Sequence, residues 1–373
     1  MARVIRFFTS KPINFLLLAL PLAVVAQLSG WPDLWIFIIS AVGVIPLATY
    51  IGEATEVLAS QTGPRVGGLL NATLGNAAEL IITIVAIREG LLELVKASIT
   101  GSILGNILLV MGASMLLGGI RHGVQSFNRR HASRNAILLV LAVVALLIPS
   151  ILSGSIGSEH SLKVEVLSLG VAGIMIVLYG LGILFSFTAG RDKFSDKKEE
   201  PVHPPEAIGP MVLEHKSHPH WSRRTAIIVL ALSTTGVVYL SELLVGAVEP
   251  VVLGFGISEF FLGIILIPLI GNVAEHLVAV KVAMENEMDL SVEIAISSSL
   301  QIALFVAPVL VFISLLMGNP LTLIFNQIEL LALIVGVLIA ALVSVDGESN
   351  WLEGAELLAV YIILALAFFL LPA

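Results

Sequence analysis

The sequence contains no cysteine among its 373 residues, and charged residues make up only 12% of it. Without cysteine, disulfide bonds, covalent haem attachment and thiolate metal sites are excluded. A soluble chain of this length could not cover its surface with so few charges, and the mean hydropathy of +1.03 indicates that lipid surrounds much of it. The formal net charge of −8 does not suggest a nucleic-acid partner. These features predict an integral membrane protein.

Apolar stretches long enough to cross a bilayer recur along the chain, since about 20 helical residues span its hydrocarbon core. Eleven segments qualify, at 12–29, 34–60, 68–88, 97–118, 135–153, 163–189, 224–248, 256–283, 291–316, 323–344 and 352–371. They are too long and too continuously apolar for barrel strands, so an all-α fold of 11 transmembrane helices is predicted. The first segment follows a basic start but has no convincing cleavage site, and we expect it to be retained.

The positive charges predict the orientation of these spans. Of the 19 Lys and Arg residues, 16 fall at the N-terminus and in the connections on its side of the membrane. The other side receives only Arg88, Lys96 and Lys163. Because cytoplasmic connections carry the excess of positive charge, the N-terminus is predicted in the cytoplasm and the C-terminus outside.

Two related motifs indicate an internal repeat. Gly75–Glu79 reads Gly-Asn-Ala-Ala-Glu and Gly271–Glu275 reads Gly-Asn-Val-Ala-Glu, 196 residues later, and the same offset relates Ser102 to Ser298. A unit of five spans is odd, so the two copies must have inverted topology, as in many secondary transporters. The N-terminus and a peripheral first helix are predicted at 1–33, and the first five-helix repeat at 34–189. A cytoplasmic linker is predicted at 190–222, and the second five-helix repeat at 223–373.

The motif glutamates, Glu79 and Glu275, are the leading candidates for a cation site. A carboxylate within an apolar span is costly unless it is paired, protonated or facing water, so it suggests a functional site. Asn76 and Asn272 precede these residues by three positions and are predicted to share their helix faces. The motif glycines allow local unwinding that frees carbonyl groups. Such an all-oxygen site suits a hard cation such as Ca²⁺, and protons compete for the same carboxylates. A protonated Glu that only bonds between helices is the simpler alternative.

Small polar residues in the following spans extend the candidate metal site. They are Ser102 and Asn106 in the fourth span, and Ser298 and Gln301 in the ninth. Serines also allow close helix packing, which remains an equal alternative for each of them.

A second group of residues is predicted to relay protons or to gate the site. This group comprises Glu53, Glu56, Glu242 and His276. The three carboxylates could instead be interfacial residues that reach water, and the histidine could be a packed neutral side chain.

The linker 190–222 contains six carboxylates and four histidines, namely Asp192, Asp196, Glu199, Glu200, Glu206, Glu214, His203, His215, His218 and His220. Its prolines, among them Pro201, Pro204 and Pro205, prevent a long regular helix. It is interpreted either as a solvated tether between the repeats or as a regulatory segment that attracts Ca²⁺.

With these motifs, the chain resembles the Ca²⁺/H⁺ antiporter (CAX) family of the calcium/cation antiporter superfamily over nearly its whole length. The resemblance rests on the two motifs, on the runs 101–106 and 297–301, and on 241–259 and 346–354. It implies eleven spans, inverted repeats and cation binding by Glu79 and Glu275. Sodium/calcium exchangers of the superfamily usually carry Thr- or Ser-rich motifs, so Gly-Asn here implies proton coupling.

The expected function is therefore export of Ca²⁺ from the cytoplasm in exchange for H⁺ by alternating access, without a cofactor. The alternatives left open are Na⁺/Ca²⁺ exchange and proton antiport of Mg²⁺, Mn²⁺ or Na⁺. An intramembrane enzyme is disfavoured because no His-Glu-x-x-His motif or serine dyad is evident, and two inverted repeats favour a transporter over a channel. Expected partners are Ca²⁺, H⁺ and the lipid bilayer. The short N-terminus suggests a prokaryotic plasma membrane, and a homo-oligomer is compatible with the sequence.

Overall fold

The computed structural model describes residues 11–62, 64–158, 161–189 and 221–371. Most of these residues are helical, and two short strands pair antiparallel, with Gln125 opposite Ser349. In chain order the elements are α1 (Pro12–Leu28), α2 (Asp33–Thr62), α3 (Pro64–Leu74), α4 (Ala77–Arg88), α5 (Leu92–His122), β1 (Gln125–Ser126), α6 (Arg129–Ile156), α7 (Leu162–Ala189), α8 (Arg223–Phe255), α9 (Glu259–Gly271), α10 (Val273–Met284), α11 (Met288–Met317), α12 (Gln327–Val343), β2 (Glu348–Ser349) and α13 (Trp351–Phe369).

Seven of the described helices are long and apolar enough to cross a membrane, by length and composition. They are α2, α5, α6, α7, α8, α11 and α13. The pair α9 and α10 is bent by 62° at a short break and makes an eighth candidate span. Helices α1 and α12 are apolar but shorter. Each of the eleven predicted segments contains a helix, and the predicted linker lies outside the described residues apart from Trp221 and Ser222.

Three predicted spans differ from the structure in their continuity or their ends. Segment 68–88 is interrupted between α3 and α4, and segment 256–283 is interrupted at Asn272, where the motif glycines were expected to permit unwinding. Segment 323–344 was predicted to be helical from its start, which is wrong. The helix begins at Gln327, because Asn326 and Glu329 form a reciprocal capping box there.

The apolar residues before α12 form an extended segment that passes three serine hydroxyls. The backbone N–H groups of Leu321, Leu323 and Phe325 donate to Ser314, Ser168 and Ser150, at 2.8, 3.0 and 2.9 Å. A buried backbone donor needs a partner, and these hydroxyls replace the bonds that a helix would provide.

Helices α2 and α8 pack along each other through reciprocal contacts. A Cβ atom at Gly43 of α2 would lie 2.7 Å from the Leu240 side chain of α8. Conversely, a Cβ atom at Gly236 of α8 would lie 2.8 Å from Leu47 of α2. Each helix therefore provides a glycine to receive a leucine from the other, which brings the two backbones close together.

Helix α1 lies against this pair through polar contacts at both of its ends. Near its start, the Tyr50 hydroxyl of α2 donates to Asn14 Oδ1 at 2.8 Å. Near its end, the Tyr239 hydroxyl of α8 donates to Gln27 Oε1 at 2.7 Å. The position of α1 on the α2–α8 pair is therefore fixed by side-chain hydrogen bonds as well as by apolar packing.

Candidate functional site

Glu79 and Glu275 occupy equivalent places, each the third residue of a helix that begins at a break. Glu79 lies in the first turn of α4, and Glu275 lies in the first turn of α10. The N-terminal turn of a helix carries unpaired N–H groups and favours negative charge. Glu79 is almost fully buried, whereas Glu275 is partly accessible.

Each glutamate accepts a hydrogen bond from a serine of the following helix. Ser102 of α5 donates to Glu79 Oε1, and Ser298 of α11 donates to Glu275 Oε2. The sequence predicted both serines beside the glutamates because they share the 196-residue offset of the motifs. The structure brings these four residues together as two equivalent pairs.

The motif asparagines connect the two halves of the chain. Asn272 Nδ2 donates to Ser102 Oγ at 3.1 Å, and Asn76 Nδ2 donates to Gln301 Oε1 at 2.7 Å. The spacing within each motif predicts that each asparagine acts with the glutamate of its own motif. Instead, each amide nitrogen donates to a residue of the other half, because the two breaks face each other.

Close backbone approach joins the two motifs at this point. A Cβ atom at Gly271 would lie 3.7 Å from the Glu79 Cα, and one at Gly75 would lie 3.7 Å from Glu275 Oε1. Two side-chain oxygens here are buried and accept no hydrogen bond within the described part of the chain, namely Asn76 Oδ1 and Glu79 Oε2. The motifs therefore meet around oxygen atoms that have acceptor capacity left.

A cavity of about 190 Å³ reaches this cluster from one side. Its polar lining residues are Thr49, Glu53, Glu56, Asn71, Glu275, Glu293, Ser298 and Gln301. The cavity has room for several water molecules, since one water occupies about 30 Å³ of liquid. Glu275 and Ser298 border it, whereas Glu79 and Ser102 do not. The two glutamates therefore differ in their access to water although their hydrogen bonds are equivalent.

The remaining predicted site residues are divided between this cavity and other places. Glu53 and Glu56 line the cavity, as a gating role would require. Glu242 does not join them, since it is exposed and pairs with Arg88 at 3.0 Å. His276 is buried beside Glu275 in sequence, and its Nε2 contacts no partner among the described residues. Asn106 is buried one helical turn beyond Ser102, without a described hydrogen bond to either glutamate.

A widened turn follows the serine in both halves. The π-helical segments are Gly105–Val110 in α5 and Ile302–Val306 in α11. Such π turns are rare and occur frequently at functional sites. The sequence contained no signal for them beyond the general repeat.

Glu293 is a cavity residue that the repeated motifs do not predict. It lies in α11, five positions before Ser298, and is buried to 9% exposure. The one feature of the sequence that could have identified Glu293 is its position as a carboxylate within the apolar stretch after Asp289. It was obscured because Glu293 has no acidic counterpart at the 196-residue offset, where Ala97 stands.

A separate cluster of charged residues, with buried Lys96 and Glu329 and exposed Glu93, lies between α5 and α12. Lys96, which the sequence placed in a connection, is a buried residue of α5 and pairs with Glu93 at 2.5 Å. On the next turn, Thr100 Oγ1 donates to the buried Glu329 Oε1 at 3.5 Å. Lys96 and Thr100 lie on a different face of α5 from Ser102, so this cluster is not part of the glutamate site.

Comparison with known proteins places the chain among ion exchangers. The model of the family described as sodium/calcium exchanger protein matches residues 33–188 and again residues 225–370. The chain belongs to this family. The two matched ranges together cover most of the sequence, and both contain one of the motifs.

Individual relatives of this exchanger are similar over nearly their full lengths. The Ca²⁺/H⁺ antiporter ChaA of Bacillus subtilis is 44% identical, with 96% of this chain and 99% of that protein covered. The Ca²⁺/H⁺ antiporter of Aphanothece halophytica is also 44% identical, with 96% of each covered. The solved structure of native YfkE is 42% identical, covers 96% of this chain and 100% of its own, and superposes with a TM-score of 0.81.

Proposed function

We propose that this protein exports Ca²⁺ from the cytoplasm in exchange for H⁺ by alternating access. The observation that carries the proposal is the meeting of two Gly-Asn-x-x-Glu helix breaks, with Ser102 and Ser298 bonded to the two glutamates. The names of the 44% identical relatives, both Ca²⁺/H⁺ antiporters, support the same ions. The resemblance of the whole chain to transporters also favours transport over an enzymatic reaction.

In this proposal, Ca²⁺ and protons compete for one set of oxygens. The carboxylates of Glu79 and Glu275 supply the charge, and the side chains of Asn76, Asn272, Ser102, Ser298, Gln301 and Asn106 supply neutral oxygens. Water and carbonyl groups at the helix breaks complete the six to eight ligands that Ca²⁺ takes. Because a carboxylate that holds a proton is a poor Ca²⁺ ligand, occupancy alternates between the ions, which is what antiport requires.

We further propose that the chain has eleven spans, with inverted repeats at 34–189 and 223–373 and a peripheral first helix. The reciprocal Gly–Leu contacts between α2 and α8 support a two-fold relation between the halves. The equivalent π turns and the repeated match of one family model support it as well. The charge bias of the connections supports a cytoplasmic N-terminus and an external C-terminus in a prokaryotic plasma membrane.

With that orientation, the cavity opens toward the cytoplasm. It is lined mainly by α2, α3, α10 and α11, at the ends that the charge bias assigns to that side. The inverted counterparts of α3 and α11, which are α9 and α5, are in tight contact instead. A Cβ atom at Gly101 would lie 2.0 Å from the Ile264 carbonyl oxygen, and one at Gly263 would lie 2.8 Å from the Leu94 carbonyl oxygen. The arrangement suits an inward-facing state with a closed outer side.

Ion transport by purified protein in proteoliposomes tests the function. We expect Ca²⁺ uptake driven by ΔpH alone, without Na⁺, that collapses when a protonophore is added. Glu79→Gln and Glu275→Gln should abolish the uptake. Glu242→Gln is the matched control, because it removes the same charge from a carboxylate outside the site, and it should transport.

Other results would indicate that different ions are exchanged or that the ions bind at another site. Uptake that requires an outward Na⁺ gradient would overturn proton coupling and leave Na⁺/Ca²⁺ exchange. If protons left the vesicles when Mg²⁺, Mn²⁺ or Na⁺ was added but not when Ca²⁺ was added, that cation would be the substrate exchanged for H⁺. Full uptake by both glutamine variants would show that the ions bind elsewhere.

A further inference from the structure

The start of α1 reaches the cytoplasmic cavity through an ion pair. Lys11, immediately before the first turn of α1, contacts Glu53 Oε1 with its ammonium group. Glu53 lies in α2 and is one of the acidic residues that line this cavity. A helix that stands outside both proposed repeats therefore places a positive charge on the wall of the cavity that leads to Glu275.

The contact is held in register by a second pair one helical turn away. Asn14 is buried and accepts the hydrogen bond from Tyr50, which precedes Glu53 by three residues in α2. Tyr50 and Glu53 are three residues apart and share one face of α2, and Lys11 and Asn14 are three residues apart at the start of α1. The Lys11–Glu53 and Asn14–Tyr50 contacts therefore lie side by side. The ring of Tyr50 in turn stacks on Trp221 at 6.2 Å. The backbone that presents Lys11 is thus anchored, whereas its own side chain is long and flexible.

The accessibility of the pair makes it exchangeable. The side chain of Lys11 is 47% exposed and that of Glu53 is 20% exposed. Ion pairs this accessible to water are weak and open readily. Lysine is a compact, hydrated point charge, and so it resembles a free cation more closely than a planar arginine does. An incoming divalent cation could therefore displace it from the carboxylate.

We infer that Lys11 is a tethered cation that occupies Glu53 and competes there with cytoplasmic Ca²⁺, so that it sets the apparent Ca²⁺ affinity. The inference rests on the proposed function. While Lys11 is bound, the cavity wall carries one less negative charge, and Ca²⁺ is attracted less strongly. Ca²⁺ enters by taking the place of the ammonium group, which swings into the water. Lys11 is thus a positioning residue for the charge of Glu53 and does not contact the central glutamates.

Ca²⁺ uptake by everted membrane vesicles, whose cytoplasmic face is outward, tests this role. In Lys11→Gln, the Ca²⁺ concentration for half-maximal uptake should fall about two- to fivefold, the range expected for an exposed ion pair, with the maximal rate unchanged. Lys11→Arg keeps the positive charge and should not increase the affinity. Arg224→Gln is the matched control, because it removes one exposed positive charge at the start of α8, and it should not change the affinity.

A double substitution and a chemical rescue decide between this role and a structural one. In a Glu53→Gln background, Lys11→Gln should have no further effect on the affinity. Because the chain has no cysteine, purified Lys11→Cys can be modified at one place. Coupling an aminoethyl group through a disulfide should restore the original affinity, whereas a neutral methyl group should not. Both reagents act on protein that has already folded, so poor folding cannot produce the difference.

The opposite results would overturn the inference. If Lys11→Gln left the apparent Ca²⁺ affinity unchanged, the ion pair would serve only to hold α1 against α2. The same would follow if Lys11→Gln changed this affinity by the same factor in the Glu53→Gln background. Equal effects of the aminoethyl and methyl groups would have the same meaning. If the unsubstituted protein took up no Ca²⁺ at all, the proposed function would fail instead, so the two failures are distinguishable.

Discussion

At the scale of single residues, the two central glutamates have matching partners but unequal access to water. Each accepts a hydrogen bond from a serine 23 positions further along the chain. Only Glu275 borders the cavity, whereas Glu79 lies behind it and is shielded by Asn272 and Ser102. A cation that enters from this side therefore meets Glu275 first, and the serine at Ser298 is well placed to affect its binding.

Ser298→Ala should weaken Ca²⁺ binding without unfolding the protein. The substitution removes the donor to Glu275 and also the hydroxyl oxygen that we propose as a Ca²⁺ ligand. Losing one contact with a charged partner costs about 1.5–3 kcal/mol, which corresponds to roughly 10- to 100-fold in affinity. Ca²⁺-dependent uptake at a series of concentrations measures the change. Ser297→Ala is the control, since the described structure contains no hydrogen bond from Ser297 to Glu275. Equal losses in both variants would argue against a special role for Ser298.

At the scale of helices and their connections, glycines and serines allow close contacts that larger or apolar residues would prevent. The missing side chain of Gly101 allows the backbone of α9 to lie against α5. The hydroxyl of Ser150 accepts a hydrogen bond from the extended segment before α12. The first contact closes one side of the molecule, and the second satisfies a buried backbone donor. Substitutions at the two places should therefore affect different properties.

Gly101→Ala should shift the protein away from the cavity-open state. The new methyl group would lie 2.0 Å from the Ile264 carbonyl oxygen, so α5 and α9 must separate. We expect a single cysteine introduced as Ile294→Cys, in the cavity wall, to react several-fold more slowly with a membrane-impermeant maleimide. Gly180→Ala serves as the control, because a Cβ atom there would meet nothing within 4 Å. An unchanged labelling rate in folded Gly101→Ala would contradict the assignment of this contact as the closed outer side.

Ser150→Ala should lower stability while leaving ion affinity unchanged. It removes the acceptor of the Phe325 N–H group, and an unsatisfied buried donor costs about 1–3 kcal/mol. The temperature of unfolding in detergent, measured with and without Ca²⁺, would show the loss. Ser153→Ala provides a comparison in the same helix, because its hydroxyl donates only to the local Ser150 carbonyl oxygen. A stability equal to that of the unsubstituted protein would mean that water replaces the serine.

At the scale of the whole molecule, the two halves approach each other at the motifs and along α2 and α8. The contacts at both places are reciprocal, as expected when the halves are related by a two-fold axis in the membrane plane. Such an arrangement requires that equivalent connections lie on opposite sides of the membrane. The charge bias of the connections then assigns each side.

The proposed orientation can be tested with single cysteines in intact cells. A membrane-impermeant thiol reagent should label Lys163→Cys, at the start of α7, which is predicted outside. It should not label Arg121→Cys, at the end of α5, until the membrane is permeabilised. Both positions are exposed, and the cysteine-free chain gives no background. Labelling of Arg121→Cys in intact cells would reverse the orientation and with it the direction of the cavity.

Much of the candidate site was accessible from the sequence because its residues repeat. Glu79, Glu275, Ser102 and Ser298 were identified by one offset, and the structure places them in two matching pairs. Glu293 and the pairing of Lys11 with Glu53 were not found, because neither has a counterpart in the other half. Glu242 was predicted beside the site from its place in an apolar span, yet it pairs with Arg88 at an exposed position.

The sequence by itself determined the membrane class, the helical segments and the residues of the two motifs. It could do so because hydrophobic length, charge bias and repetition are properties of the chain read in order. Only the tertiary structure decided that each asparagine bonds across to the other half, that Glu275 rather than Glu79 borders the cavity, and that Lys11 reaches Glu53. These depend on how helices far apart in the chain pack together, and pairwise contacts of that kind leave no periodic signal in a single sequence.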